Sequence, residues 1–164
     1  MSWRPLPAAS DAVAVERPAP PAARGGAPTD SRRRVLDVYL VEDNERLLES
    51  LIAALEELAP IRIVGTAADE SVAVRWLQDG AERCDLVIAD IFLRTGSGLG
   101  VIAAAQGRRP NAVRVILSNY ATDEMRARCL AGGAERVFDK SRDIDSLVAF
   151  CTALADLGQG PAPH

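Results

Sequence analysis

Five short apolar segments alternate along the chain with five segments of helical periodicity, and this alternation restricts the possible folds more than any other feature. The predicted strands are residues 36–41, 61–67, 85–89, 112–117 and 135–138. The predicted helices are residues 44–58, 69–78, 98–106, 123–131 and 143–157. In the second helix we expect Val72, Val74, Trp76 and Leu77 to form the buried side. Such alternation predicts a parallel sheet covered by helices on both faces.

The composition of the strands predicts their order in the sheet. The third and fourth strands are almost wholly apolar, as expected for central strands that are covered on both faces. This favours the order 2-1-3-4-5, so we predict an α/β fold, a flavodoxin-like (βα)5 doubly wound parallel sheet.

The flanking segments differ from this pattern. Residues 1–34 are rich in Pro, Ala and Arg, and we predict that they form a disordered N-terminal tail. Residues 35–157 form the predicted domain, and residues 158–164 a short flexible C-terminal tail. Only seven residues follow Leu157, which predicts a protein without a separate output domain.

Composition also bears on location and partners. The net charge is −4, and residues 35–164 carry thirteen basic and twenty acidic residues, which argues against a nucleic-acid-binding surface. The chain has no apolar run of eighteen residues, which predicts no membrane span. Its N-terminus has no continuous apolar segment, which predicts no secretory signal. Its three cysteines lack CxxC spacing, as is typical of reduced cytosolic thiols. We therefore expect a cytoplasmic protein.

Polar residues follow four of the predicted strands, at the end of the sheet where such folds bind ligands. Glu42 and Asp43 follow the first strand, Asp90 the third, Ser118 the fourth and Lys140 the fifth. Lys140 is the single lysine of a chain with eighteen arginines. A compact ammonium on a flexible stem suits contact with a single phosphoryl oxygen.

This combination of groups predicts phosphoryl chemistry. Three neighbouring carboxylates repel one another unless a cation is present, and carboxylate oxygens completed by water suit Mg²⁺. A carboxylate beside Mg²⁺, a lysine and a hydroxyl is placed to attack phosphorus.

The chain resembles the receiver domain of bacterial response regulators over residues 35–157. The segments that carry the resemblance are VYLVEDNERLLESL, DLVIADIFLRTGSG, VILSNYA and GAERVFDKS. It implies that Asp90 is the phospho-acceptor, and that Ser118 and Lys140 contact the phosphoryl group. Gly98, eight residues after Asp90, would match the glycine that this family has in the turn after the acceptor.

The resemblance also implies a set of metal ligands and partners. Mg²⁺ would bind Asp43, Asp90 and the backbone carbonyl of Phe92 directly, and Glu42 through water. The donor would be a histidine kinase or a histidine phosphotransfer domain. A downstream target protein would contact the last two helices and the fifth strand, with no role for nucleic acid or membrane. We expect a stand-alone receiver, monomeric or weakly homodimeric, that catalyses only its own phosphorylation and dephosphorylation.

Several positions depart from the family pattern. Arg94 and Ser141 stand where proline is usual, and Val137 stands where an aromatic switch residue is usual, with Phe138 one place later. Phe92 and Tyr120 each follow a site residue by two positions. Large rings there would exclude water, which predicts a slowly hydrolysing aspartyl phosphate.

Three alternatives compete with this interpretation. A haloacid-dehalogenase-type phosphatase needs a second acid where Phe92 stands. A nucleotide-binding loop is suggested by Gly96, Gly98 and Gly100, but their position and spacing do not fit one. A receiver-like protein-binding module that acts without phosphorylation stays open.

Overall fold

The sheet has five parallel strands in the order β2-β1-β3-β4-β5, which confirms the predicted fold. The computed structural model describes residues 34–80 and 82–158. The predicted tails lie outside these residues, apart from Arg34 and Gly158. The strands are β1 Leu36–Val41, β2 Ile61–Ala67, β3 Leu86–Ala89, β4 Val113–Ser118 and β5 Arg136–Asp139. The helices are α1 Glu45–Leu58, α2 Glu70–Asp79, α3 Gly98–Arg108, α4 Asp123–Ala131 and α5 Ile144–Gly158.

Side-chain caps fix where most of the helices begin. Asn44 accepts a hydrogen bond from the backbone N–H of Leu47 at 3.0 Å, and Asp69 accepts one from Val72 at 2.9 Å. Ser97 and Thr122 cap α3 and α4 in the same way. Each cap satisfies one of the backbone donors that a helix leaves unpaired at its start.

The sheet separates two apolar cores, because successive side chains of a strand point to opposite faces. Val38 and Leu40 of β1 pack with residues of α1 and α5. Tyr39 and Val41 pack with residues of α2, α3 and α4. All residues of β1 and of its neighbour β3 are buried, so these two strands lie in the interior of the domain.

Helix α2 confirms part of the predicted buried side, since Leu77 is buried and Val74 and Trp76 are half-buried, but Val72 is not. Ala73 and Leu77 are buried, whereas Val72 is 40% exposed. Half of the residues of this helix are apolar, so periodicity alone did not select the buried positions. Contact with the sheet selects two residues one turn apart and leaves Val72 outside.

An aromatic stack fixes α2 against the sheet. The rings of Tyr39 and Trp76 stack at 4.0 Å between centroids. A Cβ atom at Gly65 would lie 2.9 Å from the Tyr39 ring, so only glycine permits this approach of β2. No helix within residues 34–80 and 82–158 is long and apolar enough to cross a membrane.

Candidate functional site

The carboxyl ends of β1, β3, β4 and β5 meet at one edge of the sheet. Val41 is level with Ala89 across the β1–β3 pair, and Ser118 is level with Asp139 across the β4–β5 pair. The residues that follow these ends therefore lie close in space although they are far apart in sequence. Ser118 is itself the last residue of β4, because the strand ends one residue later than predicted.

Lys140 joins two of the carboxylates. Its Nζ lies 2.6 Å from Oε1 of Glu42 and 2.9 Å from Oδ2 of Asp90. The side chains of Lys140, Glu42 and Asp90 are only 7%, 3% and 11% exposed. Burial by itself lowers the pKa of Lys140, but the hydrogen bonds to both carboxylates outweigh it and raise the pKa. Lys140 is therefore held as an ammonium between the two acids.

The carboxylates form a cluster that fits a divalent cation. One oxygen from each of Glu42, Asp43 and Asp90 lies within 4.8 Å of the others. The cluster carries three negative charges and Lys140 supplies one positive charge, so the group has an excess of negative charge. Hard oxygen donors with excess negative charge match the preference of Mg²⁺.

Backbone N–H groups orient the acids. Asn44 donates to Oε2 of Glu42 at 3.0 Å, and Phe92 donates to Oδ1 of Asp90 at 3.3 Å. Each carboxylate thus uses one oxygen for Lys140 and the other for a backbone donor. A Cβ atom at Gly98 would lie 2.1 Å from the Asp90 carbonyl oxygen, so the close packing of α3 on the Asp90 backbone requires glycine there.

Ser118 lies at this edge but bonds elsewhere. Its hydroxyl is fully buried and accepts a hydrogen bond from the Tyr120 backbone N–H at 3.1 Å. Its backbone carbonyl accepts a hydrogen bond from the Lys140 backbone N–H at 3.0 Å. In the part of the chain that the structure describes, no hydrogen bond joins the Ser118 hydroxyl to Lys140 or to the acids.

Phe92 and Tyr120 form an exposed aromatic pair. Their rings meet edge to face, with centroids 5.5 Å apart. The two residues are 52% and 64% exposed. Because the backbones of both residues bond to side chains of the site, the pair is anchored beside Asp90 and Ser118.

Val137 and Phe138 lie on opposite faces of β5. Val137 belongs to the core that contains α4, whereas Phe138 packs in the other core, 5.7 Å from the ring of Phe150. Phe138 therefore cannot take the place of an aromatic residue at position 137. The Val137 carbonyl instead accepts a hydrogen bond from the Arg126 guanidinium at 2.8 Å.

Sequence reasoning missed the hydrogen bonds that Asp139 and Arg94 make. Asp139 is buried and accepts hydrogen bonds from the hydroxyl and the backbone N–H of Ser141, at 2.7 and 2.8 Å, which lower its pKa. Proline at position 141 has no N–H to donate, so serine has a structural reason there. The Asp-x-Ser spacing was an available signal, because aspartate often accepts bonds from the second residue after it. Arg94 donates to the backbone carbonyl of Asp43 at 3.3 Å.

The chain matches a known family over most of its described length. Residues 38–152 match the sequence model of a protein family that is described as the response regulator receiver domain. A DNA-binding transcriptional activator of Mycobacterium tuberculosis, DevR/DosR, is 29% identical over 126 residues, which are 77% of this chain and 56% of that protein. The chain spans about half or less of the length of the curated relatives that it matches.

Solved structures share the fold. The receiver domain of the regulator NarL from M. tuberculosis has a TM-score of 0.64 at 20% identity, covering 77% of this chain and 98% of that one. A response regulator from Burkholderia pseudomallei, solved with a phosphorylated aspartic acid, a calcium ion and citrate, has a TM-score of 0.61 at 25% identity. The similarity covers 76% of this chain and 71% of that one.

Proposed function

The chain belongs to the response regulator receiver domain family, and we propose that it accepts a phosphoryl group from a phosphohistidine donor onto Asp90. The match over residues 38–152 confirms the predicted family. Receiver domains of this family act in two-component signalling. The residue roles are proposed from the geometry. The observation that carries them is Lys140, which is buried and bonded to both Glu42 and Asp90 beside a third carboxylate.

The proposed reaction is a phosphoryl transfer between side chains. An Asp90 carboxylate oxygen attacks the phosphorus, the new P–O bond forms and the P–N bond of phosphohistidine breaks. The electron pair of the broken bond stays on the imidazole nitrogen, and the ring leaves as neutral imidazole because its other nitrogen already carries a proton. Lys140 exchanges its Asp90 contact for a phosphoryl oxygen, and the Ser118 hydroxyl, by turning from Tyr120, donates to another. Such charge-assisted contacts stabilise the oxygens of the transferring group.

The acidic cluster is the proposed Mg²⁺ site. Asp43, Asp90 and the Phe92 carbonyl would bind the ion directly, and Glu42 through water. When bound, Mg²⁺ offsets the negative charge shared by the carboxylates and the phosphoryl oxygens. The close approach of three acids with one ammonium supports this assignment, because a second cation would balance the site.

We propose that phosphorylation is communicated to a target protein through the surface formed by α4, β5 and α5. Lys140 directly follows β5, and Ser118 precedes the loop that leads into α4, so contacts made by the phosphoryl group act on this surface first. A target protein binds there, or the phosphoryl group passes on to a further histidine.

A phosphate-affinity gel tests the proposal. The protein is incubated with Mg²⁺ and acetyl phosphate, and wild type is compared with Asp90→Asn and with wild type in EDTA. We expect a shifted band for wild type with Mg²⁺ only. If Asp90→Asn shifts equally, the acceptor is another residue. If wild type does not shift with acetyl phosphate or with a phosphohistidine donor, the alternative of a receiver-like binding module replaces this proposal.

A further inference from the structure

We propose that Glu70 is a positioning residue of this site, acting through the loop that joins β3 to α3. This inference rests on the proposed function, because it assigns a role toward the Phe92 carbonyl that would bind Mg²⁺. Glu70 lies on α2, a helix that contributes none of the predicted site residues.

Two reciprocal hydrogen bonds connect Glu70 to the loop. Its backbone N–H donates to the Thr95 carbonyl at 3.1 Å, and its Oε1 accepts from the Ser97 backbone N–H at 2.9 Å. The start of α2 is already capped by Asp69. The Glu70 carboxylate therefore serves the loop rather than its own helix.

The glycines that resemble a nucleotide-binding loop make room for this carboxylate. A Cβ atom at Gly100 would lie 2.0 Å from Oε2 of Glu70, and one at Gly96 would lie 2.4 Å from the Glu70 Cβ. Gly100 lies within α3, where alanine is normally favoured over glycine. Glycine is needed at position 100 because the Glu70 carboxylate occupies the space that a side chain would take.

The loop carries the effect of Glu70 to the acceptor. Ser97 faces Phe92 in an antiparallel bridge, which is closed by the hydrogen bond from Gly98 N–H to the Ile91 carbonyl at 3.0 Å. Phe92 in turn donates its N–H to Asp90. By holding Ser97, Glu70 sets the position of the Phe92 backbone, whose N–H orients the acceptor and whose carbonyl is assigned to the metal.

Metal affinity tests this role through a removal and a conservative replacement. Mg²⁺ dissociation constants are measured by titration calorimetry for wild type, Glu70→Ala and Glu70→Gln, with folding checked by circular dichroism. We expect Glu70→Ala to weaken Mg²⁺ binding about tenfold, as loss of outer-shell partners commonly does. Glu70→Gln keeps an oxygen acceptor for Ser97, so we expect an affinity close to that of wild type.

Glu56→Ala is the matched control. Glu56 also accepts a backbone N–H, that of Ile63 at 2.9 Å, but in the amino-terminal half of β2, away from the acidic cluster. Its loss should leave Mg²⁺ affinity unchanged. Equal weakening by Glu56→Ala and Glu70→Ala would mean a general loss of structure and would overturn the proposal.

Gly100→Ala supplies a second test, in which the Glu70 carboxylate is displaced rather than removed. The new methyl group displaces the Glu70 carboxylate, so Gly100→Ala should weaken Mg²⁺ binding in the wild-type background. It should have no further effect in the Glu70→Ala background, because the clash is gone. Additive effects would overturn the proposal, as would unchanged affinity in both single variants. Wild type that binds no Mg²⁺ would overturn the proposed metal site itself, and this inference with it.

Discussion

Replacing Lys140 with methionine tests whether the site is a charge-balanced cluster. Methionine keeps the unbranched stem but removes the ammonium from between Glu42 and Asp90, whose side chains are 3% and 11% exposed. Removing one partner of a buried ion pair costs about 3–5 kcal/mol, since it leaves the other charge uncompensated. Because Asp90 keeps some access to water, we expect the lower end, about 3 kcal/mol, in EDTA.

Magnesium should restore part of this loss. Lys140 competes for oxygens of the cluster, so its removal should tighten Mg²⁺ binding by about tenfold or more. Tenfold tighter binding corresponds to about 1.4 kcal/mol of added stability at saturating ion. The destabilisation should therefore fall from about 3 to about 1.5 kcal/mol.

Urea unfolding followed by circular dichroism, in EDTA and in saturating Mg²⁺, measures both values. Arg142→Met is the matched control, because Arg142 lies two residues away, is 75% exposed and approaches Asp139 only to 3.6 Å. Exposed ion pairs contribute little, so we expect a small loss that Mg²⁺ does not change. A loss below about 1 kcal/mol for Lys140→Met in EDTA, or the same loss with and without Mg²⁺, would refute the reasoning.

Three further predictions concern the aromatic pair, Arg126 and the buried ionisable groups. The double variant Phe92→Asn, Tyr120→Glu should lose its phosphoryl group about tenfold faster than wild type, because water reaches the acceptor more easily; equal decay rates in a phosphate-affinity gel would contradict this. Arg126 donates to the carbonyls of Ala121 and Val137, so Arg126→Met should lower the free energy of unfolding by about 1–2 kcal/mol, and an unchanged urea midpoint would show that these bonds contribute nothing. Burial raises the pKa of Cys151 to about 12 and of Tyr39 to about 12, from ordinary values of 9.0 and 10.0. Each pKa is higher in the folded state than in the unfolded state, so the free energy of unfolding should be constant below pH 9 and should fall as the pH rises toward 12. Urea unfolding between pH 8 and pH 11 that showed no such fall would count against this prediction.

Much of the fold could be read from local pattern. Apolar runs and helical periodicity gave all ten elements, and the wholly apolar third strand predicted the centre of the sheet, since burial on both faces leaves no polar position. Parallel strands share one carboxyl edge, so the positions of Asp90 and Lys140 in the chain were enough to place them together. Composition drew attention to the single lysine, and its position after the fifth strand supplied the predicted role.

Other contacts depended on packing that no local pattern encodes. Sequence did not indicate that the Ser118 hydroxyl bonds to the Tyr120 backbone, or that Arg126 bonds to the Val137 carbonyl. In α2, five apolar residues left the buried side open until contact with the sheet chose Ala73 and Leu77.

The sequence by itself determined the architecture and the edge at which the charged residues collect, because these follow from the alternation of side chains and the direction of the strands. Only the tertiary structure decided which atoms meet. The ammonium of Lys140 reaches across 98 residues of sequence to Glu42, and the carboxylate of Glu70 fills the space left by Gly96 and Gly100. Such contacts depend on the distance between packed elements, and that distance is set by the whole core rather than by any segment.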